Sequence, residues 1–496
     1  MAAETEIQRS EKAGETKELE SFSSVLLQSF RPRNTEHKTD VERAVGALVE
    51  QALSDESLVK DDVLETIESM IAQLDRKLSE QLNEVIHAPA FQKLESAWRG
   101  LKYTVFNSET DATLKVRVLN ASKDELRTMF KSYPGAKWDQ SPLFQALYTA
   151  EYSTLGGEPY GCIIGDYTFD QSPMDVSVLR DIGKIASAAH APFFAAAGSS
   201  LIDIESWTQM YTKRDLGKVQ DTPEFAAFKS LRDSEDARYI SLCMPRVLAR
   251  LPYGAKTEPV EEFAFEETTD GHNGEKYAWM NAAYAMATNI NRAFKEYGWT
   301  VRIRGVTSGG EVANLPAHIF PTDDGGVDMK CPTEISIDDR REAELSKLGL
   351  IPLIHRKNTD KAAFIGAQSL YKPKLFVDPD ATASDNLSSR ITYMFAVSRF
   401  AHYLKVMVRD MIGQTKEKDQ LEKELQSWIN KYVDPQPKVS DEITKAKKPL
   451  AGASIKVEED EENPGYYRTI IKLRPHYQLE GMDIGLSLVS KMPKQS

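Results

Sequence analysis

The 496-residue chain has no G-x-x-x-x-G-K-[ST] stretch, so the phosphate-cradling loop needed to drive work by its own nucleotide hydrolysis is missing. It has neither H-E-x-x-H nor Cys-x-x-Cys. Its eight histidines (37, 87, 190, 272, 318, 355, 402 and 476) are scattered without a metal-ligand spacing. No G-x-S-x-G nucleophile elbow occurs. Cysteine is scarce, and Cys162, Cys243 and Cys331 form an odd, widely spaced set that suits reduced thiols better than a disulfide framework. Long apolar runs are absent: no stretch approaches 18 uninterrupted apolar residues, and MAAETEIQRSEKAGETKELE has no apolar core of the secretory kind. The expected location is the cytoplasm, with no direct membrane insertion. An excess of basic charge is missing too, since 62 Lys and Arg face 75 Asp and Glu for a net charge of −13. That balance argues against a surface built to neutralise phosphates, and nucleic acid is not an expected partner.

What fragments of chemistry remain have plainer explanations. Ser57-Leu-Val-Lys60 fits S-x-x-K without its companion motifs and reads as a polar helix junction. TSGGE at 307–311 has paired glycines but no lysine where a phosphate loop needs one, and reads as a turn. The run Glu458-Glu459-Asp460-Glu461-Glu462 reads as a solvated loop, and Asp323-Asp324 and Asp338-Asp339 as loops or helix starts. No catalytic, cofactor-binding or metal residue is assigned.

What is present is ordinary globular material, 41% hydrophobic and 28% charged, in a chain long enough for two or three packed units. Helical periodicity runs through Val41, Val45, Leu48 and Leu53, then Val63, Ile67, Ile71, Leu74 and Leu78. A further helix after Ala88-Pro89 carries Phe91, Leu94, Trp98 and Leu101 and is expected to close near Gly100. The period then shortens. TLKVRVLNAS (113–122) alternates as a strand, followed by a Ser122 to Glu125 capping box. PYGCIIGDYTF, PFFAA, RYISLCM, WTVRIRGV and GLIPLIH read as strands alternating with helices, which predicts an α/β core of mixed α+β character. YKPK at 371–374 marks a boundary, after which RITYMFAVSRFAHYLKVMVRDMIG and LEKELQSWINKYV return to helix and PQPKVSDEITKAKKPL reads as a linker.

Both ends carry apolar elements without an evident partner. ELESFSSVLLQSFRPRN (18–34) repeats Leu19, Phe22, Val25/Leu26 and Phe30 before Pro32 stops the helix. At the other end Tyr467, Thr469, Ile471 and Leu473 alternate on one strand face, and Met482, Ile484, Leu486 and Leu488 on a second. An isolated hairpin is marginal in water, so these strands are expected to pair with something else. The expected organisation is an N-terminal arm (1–57), a main α/β region (58–374), a helical region with linker (375–460) and a C-terminal hairpin (461–496).

HAPAFQKLESAWRGLKYTV (87–105), GVTSGGEVANLPAHIF (305–320), CPTEISIDDRREAELSKLGLIPLIH (331–355), AAFIGAQSLYKPK (362–374) and RTIIKLRPHYQLEGMDIGLSLV (468–489) resemble the large subunit of the bacterial type VI secretion contractile sheath. The resemblance runs from about residue 19 onward, with the segments in the same order. It implies a structural protein and not an enzyme, with a phage-tail-sheath-like core and no cofactor. It implies heterodimers with a small sheath subunit, which stack with neighbouring sheath subunits into a helical tube around inner-tube hexamers, on a baseplate. Contraction then expels the inner tube and its effectors, and an AAA+ unfoldase disassembles the contracted form.

In the same frame the terminal strands, Tyr467, Thr469, Ile471, Leu473, Met482, Ile484, Leu486 and Leu488, would join an inter-subunit sheet, where strand addition gives affinity through main-chain hydrogen bonds. The helix carrying Leu19, Phe22, Leu26 and Phe30 would be the unfoldase's handle, its burial supplying on the order of 5 to 10 kcal/mol gross. The alternative for that stripe is packing on the protein's own body or on the small subunit. Two rivals stand beside the sheath reading: a two-domain α/β enzyme with the GVTSGGE loop near its pocket, and an adaptor that binds through its ends without polymerising.

Overall fold

FFAAA and ISLCM offer no polar face, so strands built from them need cover on both sides. The computed structural model describes residue 43 and residues 63–212, 215–271, 273–322, 324–414, 417–459 and 467–478. The chain forms two units, Met1–Ala88 with Pro252–Thr268, and Pro89–Leu251 with Thr269–Ser496.

In the first unit, helix α1 (Val63–Ile86) is tied to the 252–268 segment by one buried amide. Asn83 Nδ2 donates to the Glu266 carbonyl at 3.1 Å, and Asn83 Oδ1 accepts the Thr268 N–H at 2.8 Å. Ile71, Leu74, Leu78 and Val85 of α1 are exposed.

The second unit opens with α2 (Pro89–Phe106) and α3 (Lys123–Ser132), the latter started by the capping box expected at Ser122 and Glu125. There follow β1 (Ile163–Phe169), α4 (Pro173–Ala189), β2 (Phe193–Ala197), α5 (Ala226–Arg232), β3 (Ile240–Met244), β4 (Val247–Leu248), β5 (Trp279–Met280) and α6 (Ala282–Tyr297). Next are β6 (Glu311–Val312), β7 (His318–Pro321), β8 (Val327–Lys330), α7 (Asp339–Lys347), β9 (Leu350–His355) and β10 (Ala362–Phe364). The unit closes with α8 (Pro379–Ser388), α9 (Ile391–Met411), α10 (Lys418–Asn430), α11 (Glu442–Lys447), β11 (Leu450–Glu459) and β12 (Tyr467–Pro475).

The main sheet has the order β1-β2-β3-β9-β10-β6. Its first four strands are parallel, with Phe194 opposite Ser241 and Leu242 opposite Leu350, and its last two join antiparallel. Every residue of β2 and β3 is buried, as strands covered on both faces require. Leu179 and Ile185 of α4, Met286 of α6 and Phe395 of α9 belong to the same core, and the Phe395 ring stacks on Phe194 at 5.9 Å. A second core gathers Trp299, Phe400, Leu404, Leu425, Ile429, Leu450 and Ile455, with Trp299 stacked on Phe400 at 4.4 Å.

Four expectations change. Helix α2 does not close near Gly100 but runs on to Phe106, because the missing side chain of Gly100 makes room for the Tyr284 ring. Residues 113–122 form no strand, since no neighbour among the described residues pairs with them, and Val118 and Leu119 are exposed. WTVRIRGV is irregular: Trp299 is taken into the second core and Gly305 turns the chain at φ 78°. Residues 435–450 are not a bare linker but hold α11 and the first residue of β11, a strand hidden from sequence reading by the small residues of LAGAS.

Candidate assembly surfaces

β12 pairs antiparallel with β11, in a register running from Leu450 opposite Pro475 to Glu459 opposite Tyr467, and the segment expected to complete the hairpin lies outside the described residues. In such a pair every second residue turns its peptide groups away from the partner. On β11 these are Ala453, Ile455 and Val457, and α10 supplies their partners. Gln426 Oε1 accepts the Ile455 N–H at 2.8 Å, Gln426 Nε2 donates to the Ala453 carbonyl at 3.2 Å, and Glu422 Oε2 accepts the Val457 N–H at 3.0 Å. Opposite those three lie Leu473, Ile471 and Thr469, so their peptide groups face the outer side of β12. Among the described residues no strand pairs with that side. One edge of the small sheet is capped by side chains, and the other is open among the described residues.

Side chains of paired residues share a face, so Tyr467, Thr469, Ile471 and Leu473 do lie together, as their alternation predicts. It is the face of Ile455 and Val457, both buried. Leu473 packs into the second core, while Tyr467 and Ile471 are exposed at 38% and 36%. The structure thus pairs β12 with β11 of its own chain, and among the described residues no strand lies beside its outer peptide groups. Leu19, Phe22, Leu26 and Phe30, together with Met482, Ile484, Leu486 and Leu488, lie outside the described residues. Sequence reading missed Glu422 and Gln426. Their signal is the four-residue spacing, which places both on one face of α10.

A second surface is α2, which packs with its small face inward. Gly100 and Thr104 are buried, and the Thr104 hydroxyl donates to the Tyr284 carbonyl at 3.3 Å. A Cβ on Gly100 would stand 2.2 Å from Tyr284 Cδ2. The large apolar side chains point the other way: Phe91, Leu94, Trp98, Val105 and Phe106 are exposed, Trp98 at 66%. An ion pair fixes the helix beside this face, with Arg250 Nε 2.6 Å from Glu95 Oε1 and Arg99 Nε at 3.0 Å. Burial raises the Glu95 carboxyl, but the two guanidiniums outweigh it and hold the group below its ordinary value.

GVTSGGE closes a turn, with Gly309 at φ 94° and the Gly310 N–H donating to the Gly305 carbonyl at 2.9 Å. An open cleft of about 1020 Å³ lies elsewhere, at the ends of β1 and β2, lined by Asp170, Asp203, Glu205, Trp207, Arg246 and Glu334 among others, and by nothing from 305–311. Its Arg246 is already held by Glu334 at 2.7 and 3.0 Å. Histidines serve the fold: His402 Nε2 meets the Ala189 carbonyl at 2.9 Å, and His476 Nε2 the Lys448 carbonyl at 3.0 Å. Among the described residues no three His, Cys, Asp or Glu side chains are placed to hold a metal ion, and no helix is long and apolar enough to cross a membrane. Ser57 and Lys60 lie outside the described residues.

Comparison with known proteins gives a consistent result. Residues 68–371 match the family EvpB/VC_A0108, tail sheath N-terminal domain, and residues 380–492 match the EvpB/VC_A0108 tail sheath gpW/gp25-like domain. The chain is 60% identical over 478 residues to the type VI secretion system sheath protein TssC1 of Pseudomonas aeruginosa, covering 96% of each chain. Among solved structures, a chain of the anti-feeding prophage baseplate aligns at a TM-score of 0.40 and 13% identity, covering 79% of this chain and 86% of that one. A chain of the contracted anti-feeding prophage sheath aligns at 0.29 and 11%, covering 64% and 75%.

Proposed function

The chain belongs to the EvpB/VC_A0108 tail sheath family and is a structural subunit of a type VI secretion contractile sheath, and from that premise we propose how it joins its neighbours. The open edge of β12 takes an extended segment from an adjacent sheath subunit. The observation that carries this is the asymmetry of the small sheet: Gln426 and Glu422 occupy the outward groups of β11, while those of Thr469, Ile471 and Leu473 have no strand beside them among the described residues. An uncovered strand edge invites pairing with another chain, and side-chain capping of the other edge restricts that pairing to one side.

In this reading the chain forms a heterodimer with a small sheath subunit, and the apolar face of α2 is covered by it. The assembled tube surrounds inner-tube hexamers on a baseplate in the cytoplasm, and the chain turns over no substrate of its own. Leu19, Phe22, Leu26 and Phe30 provide the handle for an AAA+ unfoldase after contraction. Met482, Ile484, Leu486 and Leu488 form the segment that each subunit gives to the next.

The test is electron microscopy of the chain co-expressed with its small sheath subunit, using two proline variants. Ile471→Pro removes an N–H that faces the open edge, whereas Ile470→Pro removes one that bonds β11. Ile471→Pro is expected to leave a soluble heterodimer and abolish tubes; Ile470→Pro is expected to lower the chain's own stability. Tubes at normal yield from Ile471→Pro would reject strand addition at this edge.

A further inference from the structure

Paired residues of β11 and β12 share a face, and the face opposite to that of Ile455 and Ile471 is built from Lys456 and Glu458 with Arg468, Ile470, Lys472 and Arg474. Ile455 and Leu473 take the other face into the second core, so this one turns outward, with Lys456, Arg468, Lys472 and Arg474 exposed. Four cations there meet one carboxylate. Lys456 Nζ holds that carboxylate, Glu458 Oε1, at 2.8 Å, and Arg474 Nη2 donates to the Ala451 carbonyl at 3.2 Å. Among the described residues no carboxylate forms an ion pair with Arg468, Lys472 or Arg474. Like charges side by side on one sheet face repel unless a counter-charge lies over them. On a chain of net charge −13, this face attracts a carboxylate-rich partner that most of the remaining surface repels.

We propose that this basic face takes the acidic run Glu459-Asp460-Glu461-Glu462 of a second copy of the chain, the adjacent subunit of the sheath. The run leaves the end of β11, and Asp460, Glu461 and Glu462 lie outside the described residues. A copy's own run reaches only the near end of its own face. Residues 460–466 join Glu459 to Tyr467, which stand directly opposite each other. At about 3.4 Å per residue, a loop of that length held at both ends turns back by about 12 Å at most. Lys472 and Arg474 lie farther along β12 from Tyr467, by about 17 and 24 Å. The far end of the face is therefore left for another copy.

The run and the face occupy different parts of the surface, so the contact is head-to-tail. Such contacts pass from copy to copy along a polymer instead of closing a two-fold dimer. Matched charges of this kind fix orientation and register between subunits and discourage wrong placements. The contact uses the outward side chains of the small sheet, not the outward peptide groups of β12, and does not rest on strand addition at that edge.

The test uses the full chain co-expressed with its small sheath subunit. Lys472→Glu with Arg474→Glu reverses the far end of the face; Asp460→Lys, Glu461→Lys and Glu462→Lys together reverse the run. Each variant is expected to keep the heterodimer in sedimentation and to lower the yield of tubes in electron micrographs at least about ten-fold. Co-expressing the two variants is expected to restore tubes, because each then meets opposite charge on the other in both directions. Normal yield from either variant alone overturns the proposal, and so does their co-expression without tubes. Tubes from one chain carrying all five changes, with none from the two variants together, would place the run on its own copy's face and overturn it as well. Lys472→Gln with Arg474→Gln removes charge at similar side-chain length and is expected to lower the yield in the same sense; normal yield from it overturns the proposal without need of the reversed face. Loss of tubes with Ile471→Pro beside normal tubes from these charge variants would reject this contact alone and leave strand addition standing.

Discussion

Gln426 presents its amide oxygen to the Ile455 N–H at 2.8 Å and its amide nitrogen to the Ala453 carbonyl at 3.2 Å, so one side chain of α10 stands where a third strand would otherwise bond. An amide carries both an acceptor and a donor, which is what two outward peptide groups of a strand require. The cap therefore acts twice, satisfying β11 and keeping foreign strands off it.

Gln426→Leu keeps the bulk near the second core but leaves both groups without their partner. Orphaning buried peptide groups costs about 1 to 3 kcal/mol, so the chain is expected to lose several degrees in Tm. Hydrogen exchange should show the Ile455 amide losing protection ahead of the β3 amides. Unchanged protection at Ile455 would mean that the edge is shielded without the side chain.

Gly100 offers a test in which the sign is decisive. Alanine at an open helix position would stabilise by about 1 kcal/mol relative to glycine. Here the new methyl would stand 2.2 Å from Tyr284 Cδ2, with the ring held by the packing of α6. Gly100→Ala is expected to destabilise by about 1 to 3 kcal/mol through overpacking, read as a fall in the denaturant midpoint. A stabilised variant would show that α2 can lift from Tyr284.

The parts of this architecture that follow from local rules were legible in the chain. FFAAA and ISLCM announced strands of an α/β core, and Ser122 with Glu125 announced the start of α3. What was hidden depended on partners distant in sequence. TLKVRVLNAS has the alternation of a strand, yet pairing makes a strand, and nothing in its own residues supplies a neighbour. In α2 the stripe of Phe91, Leu94 and Trp98 marks an apolar face without saying what covers it, and only Tyr284, far along the chain, shows that the glycine side is the one buried. β11 went unseen because LAGAS has no apolar alternation, although Ile455 and Val457 carry it directly after. The outward peptide groups of β12 were beyond reach of the sequence for the same reason, since they follow from its register with β11.

His402 gives the fold a dependence on acid. Its Nε2 donates to the Ala189 carbonyl at 2.9 Å, while its Nδ1 is buried with no hydrogen-bond partner. A proton added there would be a buried charge beside His190, Arg399 and Lys405. Burial first, and these cations second, push the group down to about 4 from 6.5. Between those two values the unfolded chain binds the proton and the folded chain does not, so stability falls as pH drops through that window and is fully present above it. The contribution is about 3 kcal/mol at most. His402→Leu is expected to flatten the pH dependence of the urea midpoint between about pH 6.5 and 4; an unaltered slope would assign the acid sensitivity to other groups.

Trp98 tests the outer face of α2 apart from the fold. It is 66% exposed, and Phe91, Leu94, Trp98, Leu101 and Val105 recur at alternating steps of three and four, the spacing by which one helix seats against another. Trp98→Glu removes no internal contact of consequence, so the isolated chain should keep its stability within about 0.5 kcal/mol. If the face is covered in the heterodimer, the same change places a charge in a desolvated contact, and affinity for the small sheath subunit should fall at least about ten-fold, as loss of an aromatic anchor does. Leu155→Glu is the control, at a position 76% exposed and outside the stripe. Sedimentation of each variant with the small subunit separates the outcomes: loss of complex with Trp98→Glu alone places the partner on α2, and equal complex formation by both leaves that face to solvent in the sheath.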